Sequence, residues 1–149
     1  MGNARGSAKT CMSGADFLDT NVVVYAYDEN HPQERQIARQ LIERGVAGKT
    51  VVSAQVLAEF AATMLHEVSP AATEAAVITA LDALSNLRVV TPDAELVRRA
   101  VEARAAYGIH FYDGMIVAAA ERAGCERILS EDFNAGQEYF GVTVANPFR

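Results

Sequence analysis

The sequence predicts one α/β domain in which a central, mainly parallel sheet is covered by helices on both faces. Three observations lead there. Short β-branched runs alternate with longer stretches of helical spacing, which is the pattern of successive βαβ units. The acids that abut apolar runs follow strand candidates or sit on the helices after them. A chain of 149 residues with 50% hydrophobic and 21% charged content suits a single substantial core. Right-handed crossovers then bring the carboxyl ends of the strands to one edge.

Residues 1–14 are small and polar, without the apolar stretch of a secretory signal, and are expected to be a disordered extension or cloning remnant. The domain is placed at residues 15–149. The run from Asp16 to Asp28 opens with a strand, and Asp19, Thr20 and Asn21 inside it are expected at a strand end that delivers them to a rim. From Asn21 to Tyr27 the valines favour strand, while Thr20 or Asn21 as a cap favours a short helix, and both readings stand. His31-Pro32 starts a helix with Ile37, Ala38, Leu41 and Ile42 as its apolar stripe, ended by Gly45 and Gly48. Thr50 to Ser53 reads as a buried strand, with Ser53 capping a helix that carries Val56, Leu57, Glu59, Phe60 and Met64.

Ser69-Pro70 signals another helix, with Val77, Ile78, Leu81 and Leu84 facing inward. Arg88 to Thr91 is a short strand. Pro92-Asp93 begins a helix with Leu96, Val97, Ala100 and Val101 on its apolar side, closed by Gly108. Asp113 to Ala123 is apolar on nearly every side, as expected of a central helix. Arg127 to Ser130 and Val142 to Ala145 supply the last two strands.

Composition narrows the partners. A formal net charge of −6 argues against broad electrostatic binding to nucleic acid, so chemistry on such a substrate must rely on local arginines and a metal. No apolar run approaches the roughly 18 residues of a membrane span. Cys11 and Cys125 give neither a disulfide framework nor a zinc pattern, and a reducing cytoplasm is the expected setting.

Asp19, Glu59, Asp113 and Asp132 each lie beside apolar sequence, where an acid is costly unless it binds something, and four such sites suggest a shared cation. Each also has a plainer reading. Asp19 could be a turn or cap residue, Asp113 a helix-start acid favoured by the dipole, Glu59 a surface glutamate and Asp132 a loop residue. Asp16, Asp28 and Glu131 read mainly as structural. His31, His66 and His110 have no ligand spacing, and Arg35, Arg39 and Arg44 read as a solvated helix face before a phosphate-facing strip.

The pieces Phe17-Leu18-Asp19-Thr20-Asn21, Ala58-Glu59-Phe60, Tyr112-Asp113-Gly114-Met115 and Leu129-Ser130-Glu131-Asp132-Phe133, with the closing Asn146-Pro147-Phe148, resemble in order the PIN-domain nucleases. Within them the closest likeness is to the toxin subunits of VapBC-type toxin–antitoxin pairs. The resemblance implies a three-layer α/β/α fold and an acidic quartet at Asp19, Glu59, Asp113 and Asp132, with Thr20, Asn21 and Ser130 in support. It also implies Mg²⁺ or Mn²⁺, cleavage of single-stranded or looped RNA, tRNA included, a small antitoxin partner and a homodimer. Tyr112 stands where the family often has tryptophan, and motif alignment favours Asp132 over Glu131. The alternatives are a PIN-fold module without catalysis and an aspartyl phosphatase. The latter wants an acid two residues after its nucleophile, where this chain has Asn21, and a lysine that the later strands lack.

Overall fold

The computed structural model describes residues 14–68 and 70–149, the side chain of Val46 excepted. The expected extension therefore lies outside the described residues apart from Gly14, as do Cys11 and Ser69. Six strands and six α-helices are found among them. They run β1 (Asp16–Leu18), α1 (Thr20–Tyr25), α2 (Pro32–Glu43), β2 (Thr50–Ser53), α3 (Ala54–His66), α4 (Glu74–Leu84), β3 (Arg88–Val90), α5 (Ala94–Tyr107), α6 (Phe111–Arg122), β4 (Arg127–Leu129), β5 (Glu138–Tyr139) and β6 (Val142–Ala145).

The sheet order is β3-β2-β1-β4-β6-β5, parallel throughout except for the β5–β6 pair. Strand β1 has β2 on one side and β4 on the other. The chain winds outward in both directions from that junction, which makes the carboxyl ends of β1 and β4 the switch point where α/β sheets open a crevice. Phe17, Leu18, Val51, Val52, Ile128 and Leu129 are fully or almost fully buried, as strands covered on both faces require.

The opposite, amino-terminal edge is tied by a buried carboxylate. Asp16 is 2% exposed and accepts from Arg127 Nε and Nη2 at 2.9 Å and from Arg44 Nη1 at 3.2 Å. Arg39 Nε donates to the Ala26 carbonyl at 2.8 Å. Arg39 and Arg44 thus serve the fold, and Arg44 does so at the edge away from the acids.

Several boundaries differ from the sequence expectation. The stretch after β1 is helix, capped by Asp19 rather than by Thr20 or Asn21, and its valines serve the core because Val22 and Val23 are fully buried. Thr73, not the Ser69-Pro70 pair, caps α4, its hydroxyl accepting from the Ala76 amide. Ile78 faces outward at 58% exposure while Ala80 turns in, and Val97 and Val101 are also exposed. The short strand β5 was not expected. It pairs with β6 across the turn Phe140-Gly141, where both residues have positive φ as a two-residue hairpin needs. The strain at Phe140 is offset by Arg99, whose guanidinium lies 3.5 Å over its ring, and by its amide donating to the Tyr107 oxygen.

Candidate active site

Asp19 reaches the rim because β1 stops at Leu18 and α1 starts at once. Its Oδ1 accepts the Thr20 amide at 2.8 Å, so the acid also caps the helix. Its Oδ2 accepts the Ser130 hydroxyl at 2.8 Å, from the residue after β4. The two central strands are therefore stitched at their carboxyl ends through this one side chain.

Asn21 lies one step further along α1 and ties the Asp132 loop to Asp19. Its Nδ2 donates to Asp132 Oδ2 at 3.0 Å and, at 3.3 Å, to Asp19 Oδ2 and Ser130 Oγ, while its Oδ1 accepts the Glu131 amide. Ser130 Oγ also accepts the amides of Asp132 and Phe133. Thr20 turns to the other flank, where its hydroxyl donates to Glu59 Oε1 at 2.8 Å. Glu59 comes from α3, whose Val56, Phe60 and Met64 are buried and leave the glutamate on the outer side.

Asp113 stands in the first turn of α6. Gly114, the next residue, lets α6 press against α5, since a Cβ there would sit 2.5 Å from the Ala100 carbonyl oxygen. Among the described residues the Asp113 carboxylate has no hydrogen-bond partner, so its lone pairs stay open to the cavity.

Asp19, Glu59, Asp113 and Asp132 line one cavity of about 390 Å³, together with Thr20, Asn21, Gln55, Thr63 and Glu67. The sequence reading missed Gln55, Thr63 and Glu67. The signal was present in the spacing, because Gln55, Glu59 and Thr63 recur every fourth residue on one face of α3. Gln55 Nε2 also donates to the Tyr112 carbonyl at 3.2 Å, linking the starts of α3 and α6.

The lining holds five carboxylates and no lysine or arginine. Burial pushes the Asp19 carboxyl up from 3.8 to about 6, against the pull of the Ser130 and Thr20 hydrogen bonds, and the charges of Asp113 and Asp132 add to the rise. Asp113 is raised as well, by desolvation first and then by Glu59 and Asp132, while His110 acts in the opposite sense. Among the described residues no three acids close into a ready-made metal cage. The donor set fits a hard divalent ion that keeps several waters and takes one or two carboxylates directly, with Asp19 and the unpartnered Asp113 nearest to that role.

Glu131 lies outside the quartet's cavity. Both of its carboxylate oxygens accept the Tyr25 hydroxyl, at 3.0 and 3.1 Å, which gives it a structural task.

A doubly wound sheet whose switch point is lined by acids from two helices and two strand ends defines a class of α/β domains built around a carboxylate cluster. The family model for the PIN domain matches residues 17–137, and the chain belongs to that family. Three solved structures share the fold. A toxin–antitoxin complex from Klebsiella pneumoniae is 20% identical with a TM-score of 0.64, covering 89% of this chain and 98% of its own. VapBC2 from Rickettsia felis bound to a promoter DNA fragment is 20% identical with a TM-score of 0.61 and the same coverage. VapC20 from Mycobacterium tuberculosis, a toxin that cleaves the sarcin–ricin loop, is 20% identical with a TM-score of 0.60, covering 87% and 99%. Among curated proteins there is no match. No helix among the described residues is long and apolar enough to cross a membrane.

Proposed function

We propose that the protein is a divalent-metal-dependent endoribonuclease and the toxin of a toxin–antitoxin pair. One observation carries this reading: four carboxylates from separate segments line a single cavity at the sheet's switch point, with no basic residue to neutralise them. Asp19, Asp113, Glu59 and Asp132 would hold Mg²⁺ or Mn²⁺, in part through water. When bound, the ion supplies an activated water and offsets charge developing on the cleaved phosphate. Ser130, Asn21 and Thr20 fix the orientation of Asp19, Asp132 and Glu59, so that little rearrangement is needed when the ion and phosphate arrive. Asp19, raised to about 6, is mostly ionised at neutral pH, and an arriving cation favours that charged form further.

The same acid-lined cavity suits the basic tail of a small antitoxin, which would compete with the ion. The family membership and the toxin–antitoxin neighbours support that partner. A homodimer belongs to the same reading, and the exposed Ile78, Val97 and Val101 support it.

The test is cleavage of tRNA and other structured RNAs by the purified protein with Mg²⁺ or Mn²⁺ and then with EDTA. Cleavage should require the metal and should fall at least about a hundredfold in Asp113→Asn, which removes a charge without removing a hydrogen bond. Cleavage by Asp113→Asn at the wild-type rate, or hydrolysis of a phosphomonoester with RNA left intact, refutes the reading.

A further inference from the structure

Beside the acid cavity lies a second one of about 380 Å³, which shares Thr20, Asn21, Thr63 and Asp132 with it. Its remaining wall brings in Val24, Tyr25, Asp28, His31 and Glu131. We propose that this second cavity seats the nucleobase next to the cleaved phosphate, and that it takes a base with an exocyclic amino group. The proposal rests on the nuclease reading above.

Size, charge and rigidity point the same way. The volume lies at the lower end of the range for small-ligand pockets and suits one nucleoside. Its charged lining residues are Asp28, Glu131 and Asp132, with no lysine or arginine, so a phosphate is repelled and an amino donor is attracted. The shared residues place the neighbouring base of a strand within reach when its phosphate sits among the four acids.

The aromatic wall is fixed before any ligand arrives. The Tyr25 ring packs edge-on against His31, with centroids 5.4 Å apart, and against Phe148 at 4.9 Å, while its hydroxyl is held by Glu131. His31 Nδ1 is bonded to Asp28 Oδ2 at 2.7 Å, and Asp28 Oδ1 accepts the Asn30 amide. The His31 side chain is nonetheless 53% exposed, and it makes no capping bond to α2. A held, half-open ring gives a base a stacking surface at little entropic cost. A basic side chain from a partner protein is the competing occupant. The base is favoured because Asp28 and Glu131 already serve His31, Asn30 and Tyr25, which leaves the partly paired Asp132 carboxylate to accept a single amino group rather than to neutralise a full cation.

The experiment follows the His31 ring protons by NMR in the full-length protein with EDTA, assigned with His31→Ala. Adenosine, cytidine, uridine, ribose 5-phosphate and N-acetylarginine amide are titrated separately. Adenosine and cytidine should shift the His31 signal to saturation, uridine should bind about tenfold more weakly for want of the amino donor, and ribose 5-phosphate should do nothing. His31→Ala should lose about tenfold in adenosine affinity by equilibrium dialysis. His31→Phe, which keeps a ring, should bind more like wild type than the alanine variant does. Equal shifts from ribose 5-phosphate, a response to acetylarginine amide alone, or a phenylalanine variant as weak as alanine overturns the proposal. The titration needs no cleavage: metal-dependent RNA cleavage by a protein whose His31 ignores nucleosides removes the base site and leaves the nuclease reading, and the reverse result removes the nuclease reading instead.

Discussion

Asp19→Asn should reverse its effect on stability between pH 4 and pH 7 in the metal-free protein. The folded chain holds the Asp19 proton up to about pH 6, against 3.8 for an ordinary aspartate. Below about pH 4 the residue is neutral whether the chain is folded or not, and no charge has to be buried. Between those values the unfolded chain releases its proton while the folded chain keeps it, so each step up in pH favours unfolding. Above about pH 6 the loss is complete. It amounts to roughly two units at 1.36 kcal/mol each, or about 3 kcal/mol.

Asparagine carries no such cost, but it puts an NH₂ where Oδ2 accepted Ser130 Oγ and Asn21 Nδ2. That conflict costs about 1–2 kcal/mol at every pH. The variant should therefore be the less stable protein at pH 4 and the more stable one at pH 7. The swing of about 3 kcal/mol corresponds to roughly 6–12 °C in Tm for a domain of this size. Urea unfolding followed by circular dichroism, in EDTA at matched ionic strength, measures it. Mg²⁺ or Mn²⁺ at pH 7 should restore the wild type and leave the variant nearly unmoved. Wild-type and variant curves that run parallel from pH 4 to pH 7 refute the reasoning, because Asp19 would then titrate as a solvated acid.

Two other outcomes follow from the packing. Asn21→Ala should cost about 1–3 kcal/mol in thermal unfolding, since Asp19, Ser130, Asp132 and the Glu131 amide all lose a partner, and should slow RNA cleavage by about 10–100-fold. Gly114→Ala should destabilise by about 1–3 kcal/mol in denaturant, because α6 must retreat from the Ala100 carbonyl, and Asp113 should be displaced with it.

The sheet was legible because most of its strands are short aliphatic runs set between helical stretches, and β1 and β2 are buried throughout. The helix after β1 was ambiguous because Val22 and Val23 are strand formers by propensity, and their burial in the core outweighs that preference. In α4 an abundance of alanine and aliphatic residues left the inward stripe undetermined, so Ile78 was assigned to the wrong face while Ala80 was passed over. Strand β5 escaped notice because two residues carry no periodicity; it exists through the Phe140-Gly141 turn and the Arg99 and Tyr107 contacts around it. The four acids stood out because each interrupts or borders apolar sequence. Gln55, Thr63 and Glu67 did not, since a polar helix face looks alike whether it meets solvent or a cavity. The hydrogen bonds of Asn21 across to Asp132 depend on β1 lying beside β4, which no local pattern encodes.

That adjacency also sets a clock. Asp19 and Ser130 touch although 111 residues separate them in sequence, so the cavity cannot close on a growing chain until the second has been made. At 5–20 residues per second the interval is roughly 6–22 s. During it β1 lacks its β4 neighbour, and Asp19 can cap α1 but cannot meet Asp132. A ribosome-bound fragment that stops short of Ser130 therefore lacks the assembled cavity, and whatever activity the cavity has waits until that residue has been made.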